Sequence, residues 1–131
     1  MIGEKVKIHI VDDDEMLSEM LSDYLESRGD FNIETFGTGE LCLEELKRSD
    51  EDPKIIILDF NLDSIQPQAA NGLEILKAIK KYNTNIIVIM YSSQEQYGKA
   101  LQTIGKGALE YVIKDQQAFS KIDSTIKNIL K

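Results

Sequence analysis

The sequence predicts an α/β fold: a single doubly wound domain of five βα units around a five-stranded parallel sheet, with helices on both faces. Three observations carry that prediction. The runs Ile55–Leu58 and Ile86–Met90 are apolar at every position, as strands covered on both sides must be. The stretches between strand-like runs repeat their apolar residues at helical spacing. No repeat, low-complexity tract or Pro/Gly/Ser-rich linker breaks the alternation, and 131 residues suit one domain with a real core.

The elements follow in order. Val6–Val11 is the first strand. Glu15–Arg28 is a helix whose apolar stripe is Met16, Leu17, Met20, Leu21, Tyr24 and Leu25, with Gly29 as its stop. That stripe assigns Met16 and Met20 to helix packing. Phe31–Phe36 alternates and reads as a more exposed strand. Thr38 caps a helix that runs to Arg48 and turns Leu41, Leu43 and Leu46 inward. After the strand Ile55–Leu58, Asn71-Gly72 marks the entry to a helix over Leu73–Tyr82, faced by Leu73, Leu76 and Ile79. The strand Ile86–Met90 leads to a helix over Gln94–Ile104. Gly105 and Gly107 then permit the turn into a short strand, Leu109–Ile113. The last helix, Gln117–Leu130, carries Phe119, Ile122, Ile126 and Ile129. Neither Pro53 nor Pro67 interrupts a periodic segment.

Right-handed crossovers place the helices on both faces. The strand order 2-1-3-4-5, taken from other doubly wound proteins, sets the first and third strands side by side. In such sheets the functional crevice lies at the carboxyl ends of the strands.

Composition narrows the function. Apolar residues make up 42% and charged residues 29%, which suits a folded, soluble domain. The net charge of −8 repels nucleic-acid phosphates, so direct nucleic-acid binding is not expected. No apolar run approaches the roughly 20 residues that cross a bilayer, so no membrane span is expected. The N-terminus lacks the apolar core of a secretion signal, and Cys42 is the sole cysteine. Both features point to the cytoplasm. Cys42 reads as a small packed hydrophobe, and His9, in mid-strand, as a packed or edge histidine.

Three carboxylates dominate the expected crevice. Asp12 and Asp13 end the first strand, and Asp59 ends the third. So much negative charge in one place is unfavourable unless a cation joins it. Mg2+, a hard oxygen-seeking ion, is the natural partner. Ser92 and Ser93 follow the fourth strand and Lys114 follows the fifth. A metal-binding acid pair, a nucleophilic carboxylate, a hydroxyl and an ammonium together suit a phosphoryl group.

The segments Val11-Asp12-Asp13-Asp14, Ile57-Leu58-Asp59, Ile89-Met90-Tyr91-Ser92-Ser93 and Tyr111-Val112-Ile113-Lys114 stand in that order across one alternating pattern. In them the chain resembles the receiver domain of two-component response regulators, from about Lys5 to Leu130. The resemblance implies that Asp59 accepts a phosphoryl group from a sensor histidine kinase or a phosphotransfer protein. It implies that Asp13 binds Mg2+ directly, and Asp12 directly or through water. Asn61 would offer its backbone carbonyl to the metal. Ser92 would bond the phosphoryl group, Lys114 would pair with it, and Tyr111 would be the aromatic whose rotamer reports the change. Ser93 matches a small position beside the acceptor. The output would be altered affinity for a downstream protein. The chain would act as a monomer or weak homodimer. It would assist its own phosphotransfer and dephosphorylation without being an enzyme with a separate product. Residues 1–131 are expected to form this one domain, with no output domain.

Three departures stand out. The loop after Asp59 reaches Gly72 late compared with the family's usual form, which bears on kinase access or phosphoryl lifetime. Lys114 is followed by Asp115 where the family often has proline, so a trans peptide is expected. The hydroxyl is Ser92 rather than the commoner threonine. The alternative is a phosphorylation-independent interaction module on the same fold. A flavodoxin-like cofactor binder would need a Ser/Thr/Gly-rich phosphate loop where this chain has Asp12-Asp13-Asp14-Glu15. Asp14 suits the N-terminus of the first helix through its dipole.

Overall fold

The computed structural model describes residues 5–62, 71–93 and 97–131. Its elements are β1 (Val6–Val11), α1 (Glu15–Glu26), β2 (Phe31–Phe36), α2 (Gly39–Arg48), β3 (Ile55–Leu58), α3 (Gly72–Tyr82), β4 (Ile87–Ser92), α4 (Tyr97–Gly105), β5 (Glu110–Ile113) and α5 (Ala118–Ile129). The strands form one parallel sheet in the order β2-β1-β3-β4-β5. The expected start of α4 at Gln94 lies outside the described residues. β4 runs through Ser92, two residues beyond the expected end, so that hydroxyl sits on sheet backbone.

The period of two along each strand divides the core into two layers. Ile8, Ile10, Ile55, Ile57 and Ile89 face α1 and α5, meeting Leu21, Leu25, Ile122 and Ile126. Val11, Ile56, Leu58, Val88 and Met90 face α2 and α3, meeting Cys42, Leu46, Ile75 and Ile79. α4 lies against β5. β2, at the edge, exposes Asn32, Glu34 and Thr35.

Two helix faces differ from the reading of the sequence. Met16 and Met20 are 72% and 53% exposed, and Leu41 is 51% exposed. The expected stripe on α1 spans more of the helix than one sheet face can cover. Ser18, Leu21 and Leu25 centre the covered arc, with Leu17 and Tyr24 on its flank. The two methionines lie beyond that flank. On α2 the covered arc is Gly39, Cys42 and Leu46, and Leu41 points the opposite way. Gly39 is small for a reason of packing: a Cβ there would meet Ile75 at 2.2 Å.

The helix entries are capped as the residue types dictate. Asp14 accepts from the Leu17 amide at 3.1 Å, and Thr38 from the Leu41 amide at 3.2 Å. At α3 the Asn71 side chain accepts from the Glu74 amide at 3.0 Å, and Glu74 accepts from the Asn71 amide at 3.1 Å. This reciprocal pair is a capping box. Asn71→Ala should therefore lower unfolding free energy by about 1 kcal/mol in urea titrations. Gly107, with φ 112°, makes the left-handed turn that leads into β5.

Candidate functional site

Sheet hydrogen bonds place the acids. The Asp12 amide donates to the Phe36 carbonyl at 3.0 Å, and the Asp59 amide to the Val11 carbonyl at 2.8 Å. β1 and β3 thus end together, and residues far apart in the chain meet. One carboxylate oxygen from each of Asp12, Asp13 and Asp59 lies within 4.8 Å of the others. Asp12 and Asp59 are 2% and 3% exposed, and Asp13 is half-buried.

Each buried carboxylate is held in place. Asp12 Oδ1 accepts from the Asp14 amide at 2.9 Å, and Asp59 Oδ1 accepts from the Asn61 amide at 3.1 Å. Lys114 Nζ donates to Asp12 Oδ2 at 2.9 Å and stands 3.4 Å from Asp59 Oδ2. Burial, and then the neighbouring Asp12, push the Asp59 carboxyl above the ordinary carboxylate range, with Lys114 and the Asn61 amide opposing. Burial disfavours the Lys114 charge, but Asp59 and Asp12 outweigh it and raise this ammonium's pKa.

Hydroxyl and aromatic partners come from the next two strands. The Lys114 amide donates to the Ser92 carbonyl at 2.9 Å, which extends the β4–β5 ladder into the site. Ser92 is fully buried on β4, and Tyr111, two residues back along the β4–β5 register, is half-buried. The Tyr111 ring packs against the α2–α3 layer of the core. The Lys114–Asp115 peptide is trans, as expected without proline. A crevice of about 630 Å3, lined in part by Asp13, Asp59, Asn61, Ser93 and Lys114, opens this cluster to solvent. Asp12, Asp13, Asp59, Asn61, Ser92, Tyr111 and Lys114 therefore converge at one sheet edge.

The donor set suits a hard divalent cation. Three carboxylates supply oxygen alone, and Asp12 adds to burial in disfavouring the charge on Asp59.

Two contributors escaped the reading of the sequence. Gly72 packs against the turn after Asp59: its amide donates to the Phe60 carbonyl at 2.8 Å. Tyr91 lies beneath Lys114, with Nζ 5.0 Å from its ring centroid. For Tyr91 the available signal was a bulky aromatic directly before Ser92.

Below the site, His9 is buried with Nδ1 3.7 Å from Cys42 Sγ and its ring against Phe36. Burial, and then Lys7, lower the imidazole to about 4 from 6.5, and burial pushes the Cys42 thiol up to about 12. Neutral His9 thus contributes stability that is full above pH 6.5 and is lost as pH falls towards 4. Near pH 4.5 the loss should reach about 2–3 kcal/mol. In urea titrations, the unfolding free energy of the parent should fall by that much more than that of His9→Leu between pH 6.5 and about 4.5.

An acidic crevice at the switch point of a 2-1-3-4-5 sheet, with a serine and a lysine on the adjoining strand ends, defines a doubly wound domain of the response-regulator type. The model of the response regulator receiver domain family matches residues 8–127, and the chain belongs to that family. It is 32% identical to the chemotaxis protein CheY of Listeria monocytogenes, covering 86% of this chain and 89% of that one. It is also 35% identical to a protein-glutamate methylesterase/protein-glutamine glutaminase of Clostridium acetobutylicum, over 96% of this chain and 36% of that protein. The chain spans about a third of the length of the first curated relatives it matches, between 27% and 36%. Among solved structures, the BeF3-activated DrrB receiver domain superposes with a TM-score of 0.81 at 26% identity, covering 97% and 98% of the two chains. A CheY-like receiver domain protein from Methanospirillum hungatei reaches 0.83 at 22% identity, with 97% and 94% coverage, and shares the fold.

Proposed function

We propose that this chain is a phosphorylation-dependent switch of two-component signalling and that Asp59 is its phosphoacceptor. The observation that carries the reading is the convergence of Asp12, Asp13 and Asp59 within 4.8 Å, with Lys114 against two of them. Asp12, Asp13, Asp59 and the Asn61 carbonyl would hold Mg2+. When bound, the ion would neutralise charge on the phosphoryl oxygens and on the acids.

Asp59 is aimed for attack. Its amide is anchored to β1, and its Oδ1 is fixed by the Asn61 amide. A carboxylate oxygen attacks phosphorus on the phosphohistidine of a sensor kinase or phosphotransfer protein. The new O–P bond forms as the P–N bond breaks, and the imidazole nitrogen keeps the bonding pair and takes a proton. Lys114 pairs with the phosphoryl oxygens, and the Ser92 hydroxyl moves to bond them. That move changes the surroundings of the Tyr111 ring on β5, which reorients. The surface around α4, β5 and α5 then changes its affinity for a downstream protein. No separate small-molecule product is made, and the reaction belongs to the cytoplasm.

Incubation with acetyl phosphate and Mg2+ tests the reading. Intact-mass analysis should show one added phosphoryl group, labile to hydroxylamine as an acyl phosphate is, and peptide mapping should place it on Asp59. No uptake by the folded protein would overturn it in favour of a phosphorylation-independent interaction module.

A further inference from the structure

We propose that Tyr91 is a positioning residue that aims Lys114, a role that rests on the proposed chemistry of Asp59. The ammonium of Lys114 meets both acids and a ring. Asp12 and Asp59 lie 2.9 and 3.4 Å from it, and it stands over the Tyr91 ring, 5.0 Å from Nζ to the ring centroid. A cation over an aromatic face is attracted by the ring quadrupole, most strongly where water is excluded. Water is largely excluded here: Tyr91 is 2% exposed, and the Lys114 side chain is 17% exposed.

The ring itself cannot wander. It stands on β4, paired with Val112 of β5, within the layer packed by α1 and α5. Lys114 begins the segment after β5, where a trans peptide to Asp115 leaves its long side chain without a proline-stiffened neighbour. The rigid element therefore restrains the flexible one. When a phosphoryl group arrives on Asp59, Lys114 must turn from Asp12 towards the new oxygens. A ring beneath it limits that movement to a short arc and keeps the ammonium from swinging out to solvent.

The test compares Tyr91→Phe, which keeps the ring, with Tyr91→Met and Tyr91→Leu, which do not. Phosphorylation by acetyl phosphate in Mg2+ should slow roughly fivefold in the ring-less variants and recover with phenylalanine. In a Lys114→Met background, Tyr91→Met should have no further effect. Without metal or phosphodonor, NMR should show the Lys114 ε-methylene protons displaced upfield by the ring in the parent and in Tyr91→Phe. That displacement should vanish in Tyr91→Met. Methionine fills much of the ring's volume, so it serves where leucine unfolds the core.

Equal rates in the parent and both ring-less variants, or an additive effect in the Lys114→Met background, would overturn the role. So would an unshifted methylene in the parent. Absence of any phosphoryl uptake by the parent would instead overturn the phosphoacceptor reading. The methylene shift then still reports whether the ring holds Lys114.

Discussion

Asp59→Asn is expected to abolish phosphoryl uptake from acetyl phosphate and, without metal, to make the protein more stable. The first effect follows from loss of the attacking oxygen, since an amide oxygen of the same shape carries no charge. The second follows from electrostatics. Burial and Asp12 hold the folded Asp59 carboxyl above its ordinary value of 3.8. A group whose folded pKa is raised contributes stability that is present below its unfolded pKa and is lost as pH rises through the folded value. The parent should therefore weaken from about pH 4 upward, and the variant should lack that component.

Near pH 8 in EDTA the variant should be more stable by about 1–2 kcal/mol, a margin already reduced by the lost pairing with Lys114 at 3.4 Å. Mg2+ should close the gap, because it stabilises the parent and scarcely the variant. Urea unfolding with and without Mg2+, beside intact-mass analysis, reads both effects. Equal stability at every pH together with retained uptake would place the chemistry on another residue.

Gly72→Ala should be nearly as damaging, although Gly72 carries no functional group. A Cβ there would lie 2.3 Å from the Asp59 carbonyl oxygen and 2.5 Å from the Phe60 Cα. Both are backbone atoms, so no rotamer change relieves the clash. Either α3 retreats or the end of β3 moves, and the end of β3 aims Asp59. We expect a loss of about 2–4 kcal/mol in stability. Phosphoryl uptake should fall roughly a hundredfold, as a displacement of about 1 Å at a reacting group can do. Gly105→Ala is the control, because a Cβ there meets nothing within 4 Å. It should leave both quantities within about twofold or a few tenths of a kcal/mol. If Gly72→Ala matched that control, the close approach would have no part in aiming Asp59.

Much of the site was legible because its residues sit where local patterns change. A carboxylate after a continuous apolar run marks the end of a buried strand, and three such residues mark one edge. The bounds of β1 and β3 agree with that reading for the same reason. The faces of α1 and α2 were less legible. Hydrophobicity alone placed Met16, Met20 and Leu41 on the packed side, whereas the sheet covers only the arc centred on Ser18, Leu21 and Leu25 in one helix and on Cys42 and Leu46 in the other. Apolar character says a residue can be buried; the width of the neighbouring layer decides whether it is.

By itself the sequence determined the alternation of strands and helices and the residue types at each strand end. These follow from periodicity and from the chemistry of single side chains, which are local properties. Only the tertiary structure decided that Lys114 reaches Asp12 across 102 residues. It alone set the Tyr91 ring under that ammonium, put the backbone of α3 against Asp59, and closed His9 onto Cys42. Each of these is a distance between atoms remote in the chain, and such distances exist only after the layers have packed.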